Sequence, residues 1–331
     1  MSLSLIEAEA LAVAILTKAG TSEGNAAAVA RALVAADADG LASHGLSRLP
    51  AYAAQVRSGK VNGKATPKMT QVGTAAVRVD AADGFAFPAL ELAVQELARL
   101  TPMTGVAAAA IAGSHHFGAA GYHVEALASH GLVAMAFSNS PAAIAPAGGR
   151  AAIFGTNPIA MAAPQGAGKA PLVIDLSLSV AARGKIMVAA QKGEVIPGDW
   201  ALDAEGQPTS NAKAALAGTM LPIGGAKGAA LALMVEVLTA SLTGSSIGHE
   251  AGSFFTADGV KPRIGQLVLA FAPDPLSGGH FAERMATLAA AILDQPGTRL
   301  PGERRLALRE KAAKEGITLP AALLEELKAL A

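Results

Sequence analysis

Near the start of the chain, Leu5, Ala8, Leu11, Ala12, Ile15 and Leu16 fall on one face of a 3.6-residue period, which predicts a helix. Ser4 and Glu7 have the spacing of a capping box that opens it. A second helix is expected from Ser22 to Asp39, stopped by Gly40, and a third from Leu46 until Gly59. The period then changes. Ala76–Asp80 alternates as a strand with Ala81–Gly84 as its turn, and Pro88 suits the first turn of a helix reaching Leu100. Val106–Ile111 and Leu132–Phe137 are short apolar runs flanking a helix at Ala119–Ser129. That order predicts one βαβ unit with a right-handed crossover. Leu172–Leu176 and Leu267–Phe271 read as further buried strands, and Ala226–Leu242 as a buried core helix. Helices are expected again at 281–294, about 301–314 and 320–330.

These elements predict an α/β chain with a discontinuous helical domain built from both ends, residues 1–74 and 273–331. It surrounds an α/β domain of residues 75–272. The length of 331 residues suits two domains. With 26 basic and 26 acidic side chains there is no electrostatic footprint for nucleic acid or anionic lipid. A composition 52% hydrophobic and only 16% charged excludes a disordered chain. No cysteine is present, which removes disulfides, cysteine-zinc sites, iron–sulfur clusters and thiol nucleophiles and fits a reducing compartment. The first residues lack a basic segment and carry Glu7 and Glu9, unlike an export signal. Lys227 and Glu236 interrupt the one long apolar stretch, leaving it short of the roughly 18 residues of a membrane span. A soluble cytoplasmic protein is expected.

Named phosphate loops are missing. No G-x-G-x-x-G follows a strand, and Gly166–Lys169 has no Ser or Thr after its lysine. Gly224-Gly225-Ala226-Lys227-Gly228 opens a helix, where free N–H groups attract an anion; a plain capping turn explains it equally well. The seven histidines form no H-E-x-x-H, and no G-x-S-x-G elbow occurs. Two histidines carry chemistry by position. His44 lies among small residues at the mouth of a helix, with an ordinary pKa suited to acid–base work. Arg48 is one turn on and could grip a carboxylate bidentately. From spacing alone, a capping Ser43, a solvated histidine and a surface arginine are the simpler account. His116 sits between a strand end and a helix start, where open α/β sheets bind ligands; a turn with satisfied histidines again explains the local pattern. Asp175 ends an apolar run, placed either to orient a histidine or to cap the following helix.

Taken in order, several segments resemble one family. They are Asp39-Gly40, Ser43-His44-Gly45 and Arg48-Leu49-Pro50-x-Tyr52; then His116-Phe117-Gly118 with Gly121-Tyr122, and Asn139-Ser140. Gly155–Pro158, Val173-Ile174-Asp175, Ala182–Lys185 and Gly224-Gly225-x-Lys227-Gly228 complete the set. The family is that of malate/L-lactate dehydrogenases unrelated to Rossmann enzymes, which includes reductases of Δ1-pyrroline-2-carboxylate and Δ1-piperideine-2-carboxylate and ureidoglycolate dehydrogenases. The resemblance covers almost the whole chain. It implies a non-Rossmann mixed-sheet cofactor domain, a homodimer, and hydride transfer between NAD(P)H, with NADP favoured, and the C=N or C=O carbon next to a substrate carboxylate. His44 would exchange the proton, relayed by Ser43 and Asp175, while Arg48 holds the carboxylate and Thr156 meets the substrate. His116 would lie by the nicotinamide or take the proton-transfer role in place of His44, and the doubled His115-His116 leaves open which imidazole faces the cofactor. Phe117, Gly118, Ala119, Ala120, Asn139, Ser140, Asp175, Leu176, Ser177, Gly224, Gly225 and Lys227 would contact the cofactor. In Leu300–Arg305, Arg304 or Arg305 would meet a phosphate. That tail leans toward the cyclic-imine branch, Δ1-pyrroline-2-carboxylate reduction and thus proline metabolism. Malate or L-lactate oxidation is the alternative within the class, and a catalytically silent binding protein the alternative outside it. No metal is implied.

Overall fold

The computed structural model describes residues 2–166 and 168–331; Met1 and Ala167, the latter in the Gly166–Lys169 sequence, lie outside it. Ser4 opens α1 (Leu5–Lys18) as the spacing predicts: its Oγ accepts the Glu7 N–H, and Glu7 Oε2 accepts the Ser4 N–H at 2.8 Å. α2 (Glu23–Ala38) ends at Gly40, whose φ of +77° suits glycine. The third helix starts later than expected. Ala42–His44 and Leu46–Arg48 wind as two 3-10 turns, and α3 (Leu49–Arg57) begins at Leu49. Extended backbone at Gly45 separates the turns, and Pro50 belongs in the first turn of a helix.

Seven strands make the central sheet. They are β1 (Lys68–Gly73), β2 (Ala76–Asp80), β3 (Val106–Ser114), β4 (Val133–Ser138), β5 (Ile159–Ala163), β6 (Leu172–Leu176) and β7 (Ile264–Phe271). Their order is β1-β2-β3-β7-β4-β5-β6, and only β2 and β3 pair in parallel, so the sheet is mixed. The tight βαβ unit is therefore β2 and β3 joined by α4 (Ala86–Thr104). The expected unit of β3, α5 (Ala120–Ser129) and β4 keeps its parts but not its adjacency. β7 enters between the two strands and pairs antiparallel with both, Val268 facing Ala109 on one side and Ala136 on the other. β1 has every residue exposed and β5 is largely alanine and methionine, so neither carries the alternation that marks a strand.

Side-chain alternation sorts the sheet into two layers. Val268 and Ala270 of β7 pack with Leu90 and Leu97 of α4 and Val124 and Leu127 of α5. Leu267 faces the other side. There it joins Ile186 of α6 (Arg183–Lys192), Ala215 of α7 (Ala212–Ala217) and Val235 of α8 (Ala226–Glu236). α9 (Pro273–Ser277), α10 (Phe281–Leu293), α11 (Glu303–Glu315) and α12 (Ala321–Leu330) complete the chain. A separate helical cluster gathers Ile15, Leu33, Leu49 and Tyr52 with Ala312, Leu324 and Leu327 of α11 and α12, and Phe85 and Phe87 join it to the sheet layer. α10 buries no residue.

The Ala226–Leu242 stretch is not the buried helix its composition suggests. It breaks at Glu236 into a π-turn over Val237–Ser241, and Leu231, Leu233, Met234, Val237 and Leu242 stay exposed. No helix among the described residues is long and apolar enough to cross a membrane.

Candidate active site

Gly45 lets the turn after α2 sit down on its own helix. A Cβ there would collide with the Asp37 carboxylate, which instead accepts the Leu46 N–H at 2.7 Å. Burial raises the Asp37 carboxyl from its ordinary range to about 6. The turn so fixed presents Ser43, His44 and Arg48. Ser43 Oγ lies 3.0 Å from His44 Nδ1, and Arg48 Nε donates to the Ser43 carbonyl at 2.7 Å. The guanidinium lies over the Phe255 ring, 4.7 Å from its centre, and its Nη1 is buried with no partner. An unpaired buried guanidinium nitrogen is costly, and a ligand carboxylate would satisfy it.

The doubled histidine separates by side. His115 turns into the core, its Nε2 2.7 Å from Gln55 Oε1 and its ring against Phe85 and Phe254. His116 turns to the cleft, stacks on His44 with ring centres 5.5 Å apart, and has Tyr52 Oη 2.6 Å from its Nδ1. Burial, and then the Arg48 charge, push His44 down to about 4 and His116 well below the ordinary histidine range. Both imidazoles are neutral at pH 7.

His44, Arg48 and His116 line one cleft of about 1470 Å³. Ser43, Phe117–Ala120, Asn139, Ser140, Thr156, Asp175–Ser177 and Arg304 share it, so most expected site residues do converge. Ser140 Oγ accepts the Thr156 N–H at 3.0 Å, pairing the two hydroxyls on the cleft wall. Arg183 and Lys185, at the start of α6, also face this cleft.

Four expectations need correction. Asp175 makes no hydrogen bond to His44; its Oδ2 accepts the Gly121 N–H at 2.7 Å and caps α5. Desolvation pushes that carboxyl up against the pull of Gly121, Arg305 and Ala120. The α5 N-terminus thus already holds a carboxylate, which repels a phosphate there. Asn139 has its side-chain amide fully engaged by the Gly265 N–H, the Ser246 carbonyl and Glu236, leaving only its backbone to the cleft. Gly224, Gly225 and Lys227 are exposed and do not line the cleft. Arg305 is not free for a phosphate: with Arg309 it joins Asp39 and Glu125 in a part-buried cluster of four charges. Arg304 makes no side-chain hydrogen bond or ion pair among the described residues and lines the cleft.

Composition and spacing missed Glu236. Its carboxylate is 4% exposed and accepts from Asn139, Asn157 and the Gly248 N–H between 2.7 and 3.0 Å. Asn157, held at φ +41°, follows Thr156, so Glu236 anchors the cleft wall from beneath. An acid interrupting an apolar helix was the available signal.

The cleft fits a dinucleotide beside a small acid. Gly118 at φ +70° lets backbone pass where a Cβ would press on Phe87 at 3.0 Å, and Arg304 is a cation without a partner among the described residues. A neutral imidazole able to exchange a proton, next to a carboxylate-seeking guanidinium in a long cleft, suits proton-transfer chemistry on a small carboxylic acid. The chain belongs to the malate/L-lactate dehydrogenase family, whose pattern matches residues 3–328. It is 54% identical over 329 residues to (2R)-3-sulfolactate dehydrogenase (NADP(+)) of Chromohalobacter salexigens, covering 99% of this chain and 98% of that one. It is 41% identical over 331 residues to Δ1-pyrroline-2-carboxylate reductase of Ancylobacter novellus, covering 99% and 97%. The solved Δ1-piperideine-2-carboxylate reductase of Pseudomonas syringae superposes with a TM-score of 0.94 at 41% identity, covering all of both chains. The sulfolactate dehydrogenase of Methanocaldococcus jannaschii does so at 0.91 and 29%, covering 100% and 96%. The protein is an NAD(P)-dependent oxidoreductase, and the Chromohalobacter relative bears the name of an NADP(+) enzyme.

Proposed function

We propose that this enzyme oxidises, with NADP+, a short 2-hydroxy acid carrying a second anionic group, of which 3-sulfolactate is the model. The observation that carries this reading is charge. Arg183 and Lys185 line the same cleft as Arg48, so the cleft offers cations beyond Arg48 to a sulfonate or second carboxylate. The 54% relative bears the name of such a dehydrogenase.

In this reading Arg48 binds the carboxylate and Thr156 a polar substrate oxygen. The substrate hydroxyl gives its proton to His44 Nε2, the nitrogen left open by Ser43, as the C2–H electron pair departs as hydride and a C=O forms. A nicotinamide held along the Phe117–Ala120 backbone would supply the hydride acceptor, and in the reverse direction the hydride. Ser43 connects His44 to solvent. Backbone from Phe117 to Ala120, with Ser140, Leu176 and Ser177, forms the cofactor channel, and Arg304 receives a phosphate. The helical unit of residues 1–67 and 273–331 and the sheet unit of 68–272, which takes in β1 (Lys68–Gly73) because it pairs in the sheet rather than with the helices, form the two walls. A second copy of the chain covers the exposed apolar stripe of α8, giving a homodimer.

A second reading, reduction of a cyclic 2-imino acid such as Δ1-pyrroline-2-carboxylate, is favoured by the 41% relative and the 0.94 structural match. Purified protein assayed with 3-sulfolactate, malate, lactate and Δ1-pyrroline-2-carboxylate separates the two. We expect kcat/KM for the dianionic acids to exceed that for lactate by at least about tenfold, the worth of one charge-assisted contact, and Lys185→Ala to erase the margin. Fastest turnover of the cyclic imine would establish the second reading instead.

A further inference from the structure

Tyr52 occupies the middle of α3, fully buried, its ring packed on Phe85 and His115 with centres 5.3 Å away in each case. Its hydroxyl makes one hydrogen bond among the described residues, to His116 Nδ1 at 2.6 Å. A phenol carries a single proton, and a buried O–H without an acceptor is strongly disfavoured. Were Nδ1 protonated, it would donate to the hydroxyl oxygen and leave the phenol proton with nowhere to go. The hydroxyl therefore donates, and Nδ1 accepts.

The other nitrogen of His116 has a different setting. Among the described residues His116 Nε2 has no partner and is not sealed, whereas His115 Nδ1 is buried without one. His116 lines the cleft and His115 does not. The charged and titratable groups around the His116 ring are Arg48, His44, His115 and Tyr52. None is an acid, so nothing favours a second proton on the ring, and burial holds the phenol far above its ordinary range.

We infer that Tyr52 is a positioning residue that holds His116 as the Nε2–H tautomer, a fixed hydrogen-bond donor into the cleft, leaving proton exchange to His44. The assignment of proton exchange rests on the proposed function; the tautomer does not. A donor of this kind steadies a carbonyl or carboxylate oxygen but cannot accept a proton from an alcohol. One turn further along α3, Gln55 accepts from His115 Nε2 at 2.7 Å, so a single helix face sets the protonation of both adjacent histidines.

The test is nitrogen NMR of full-length protein labelled at histidine, without cofactor, from pH 5 to 9. His116 should show a protonated Nε2 and a bare Nδ1 throughout. In Tyr52→Phe, which keeps the ring and the packing, the two nitrogen shifts should move toward each other as the tautomers mix. Kinetically, His116→Gln, which retains an N–H donor, should keep the pH profile of kcat/KM, and Tyr52→Phe should lower kcat about tenfold with a smaller change in KM. A protonated Nδ1 in the parent protein, or nitrogen shifts unmoved in Tyr52→Phe, overturns the inference. If the tautomer is as stated and no acid is turned over, the proposed function fails while the Tyr52 assignment stands.

Discussion

The imidazole rings of His44 and His116 lie 5.5 Å apart and 26° from parallel, and the same guanidinium, Arg48, lowers the proton affinity of both. Two stacked cations beside a third would be unstable, so at most one ring takes a proton. With His44 lowered to about 4, its basic form is available throughout the neutral range. Oxidation should therefore lose kcat/KM only as pH falls through the His44 pKa. Reduction needs the protonated form and should slow as pH rises above it. A substrate carboxylate on Arg48 cancels the nearby charge, so the pKa in the complex should lie above that of the free protein. Rate profiles in both directions check this; an oxidation rate still climbing steeply above pH 8 would contradict it.

The Asp37 carboxyl predicts a stability change of definite sign. Its folded pKa is about 6 against 3.8 for the free group. A carboxyl that holds its proton more tightly when folded favours the fold below the unfolded value, and that contribution disappears as pH rises through the folded one. Asp37→Asn keeps an oxygen for the Leu46 N–H and has no charge to bury. The variant should match the parent near pH 4 and become more stable above pH 6, by up to about 3 kcal/mol. Thermal melts from pH 4 to 8 measure the difference. A gap that does not vary with pH would count against burial as its origin.

How much of this was legible in the sequence depended on whether a residue's partner was near in the chain. The Ser4–Glu7 box and the stop at Gly40 are local, and both formed where the pattern placed them. The insertion of β7 between β3 and β4 is set by pairings between residues 264–271 and strands more than 120 positions earlier, for which alanine-rich runs hold no signal. The same holds in the cleft. Ser43, His44, Arg48 and Thr156 reach it as the motifs imply, whereas Asp175, exposed at the end of its strand, was captured by the free N–H groups of α5. Asn139 was taken by Glu236, 97 positions away.

The cluster of Asp39, Glu125, Arg305 and Arg309 ties the end of α2, the middle of α5 and the start of α11 together. All three segments border the cleft. Glu125→Ala leaves Arg305 and Arg309 sharing one acid in a part-buried place. Breaking such a cluster costs about 3–5 kcal/mol. Since Arg299–Gly302 leads directly into α11, the KM for cofactor should rise along with the loss of melting temperature. Glu125→Gln, which keeps hydrogen-bond acceptance, should fall between. Full retention of melting temperature in Glu125→Ala would show that the cluster is only a surface ornament.

Arg304 and Arg305 are neighbours in sequence with opposite duties. Arg305 is held by Asp39 and Glu125 at 3.0 and 2.6 Å, while Arg304 stands exposed on the cleft wall. If Arg304 reads the 2′-phosphate that separates NADP from NAD, its removal should weaken one cofactor and not the other. Arg304→Ala should raise the KM for NADP+ by roughly tenfold or more, consistent with about 1.5–3 kcal/mol for a hydrogen bond to a charged group. The KM for NAD+ should move little. Arg305→Ala, by contrast, should lower the melting temperature and raise both KM values together. Equal losses for the two cofactors in Arg304→Ala would place that side chain on the shared pyrophosphate instead.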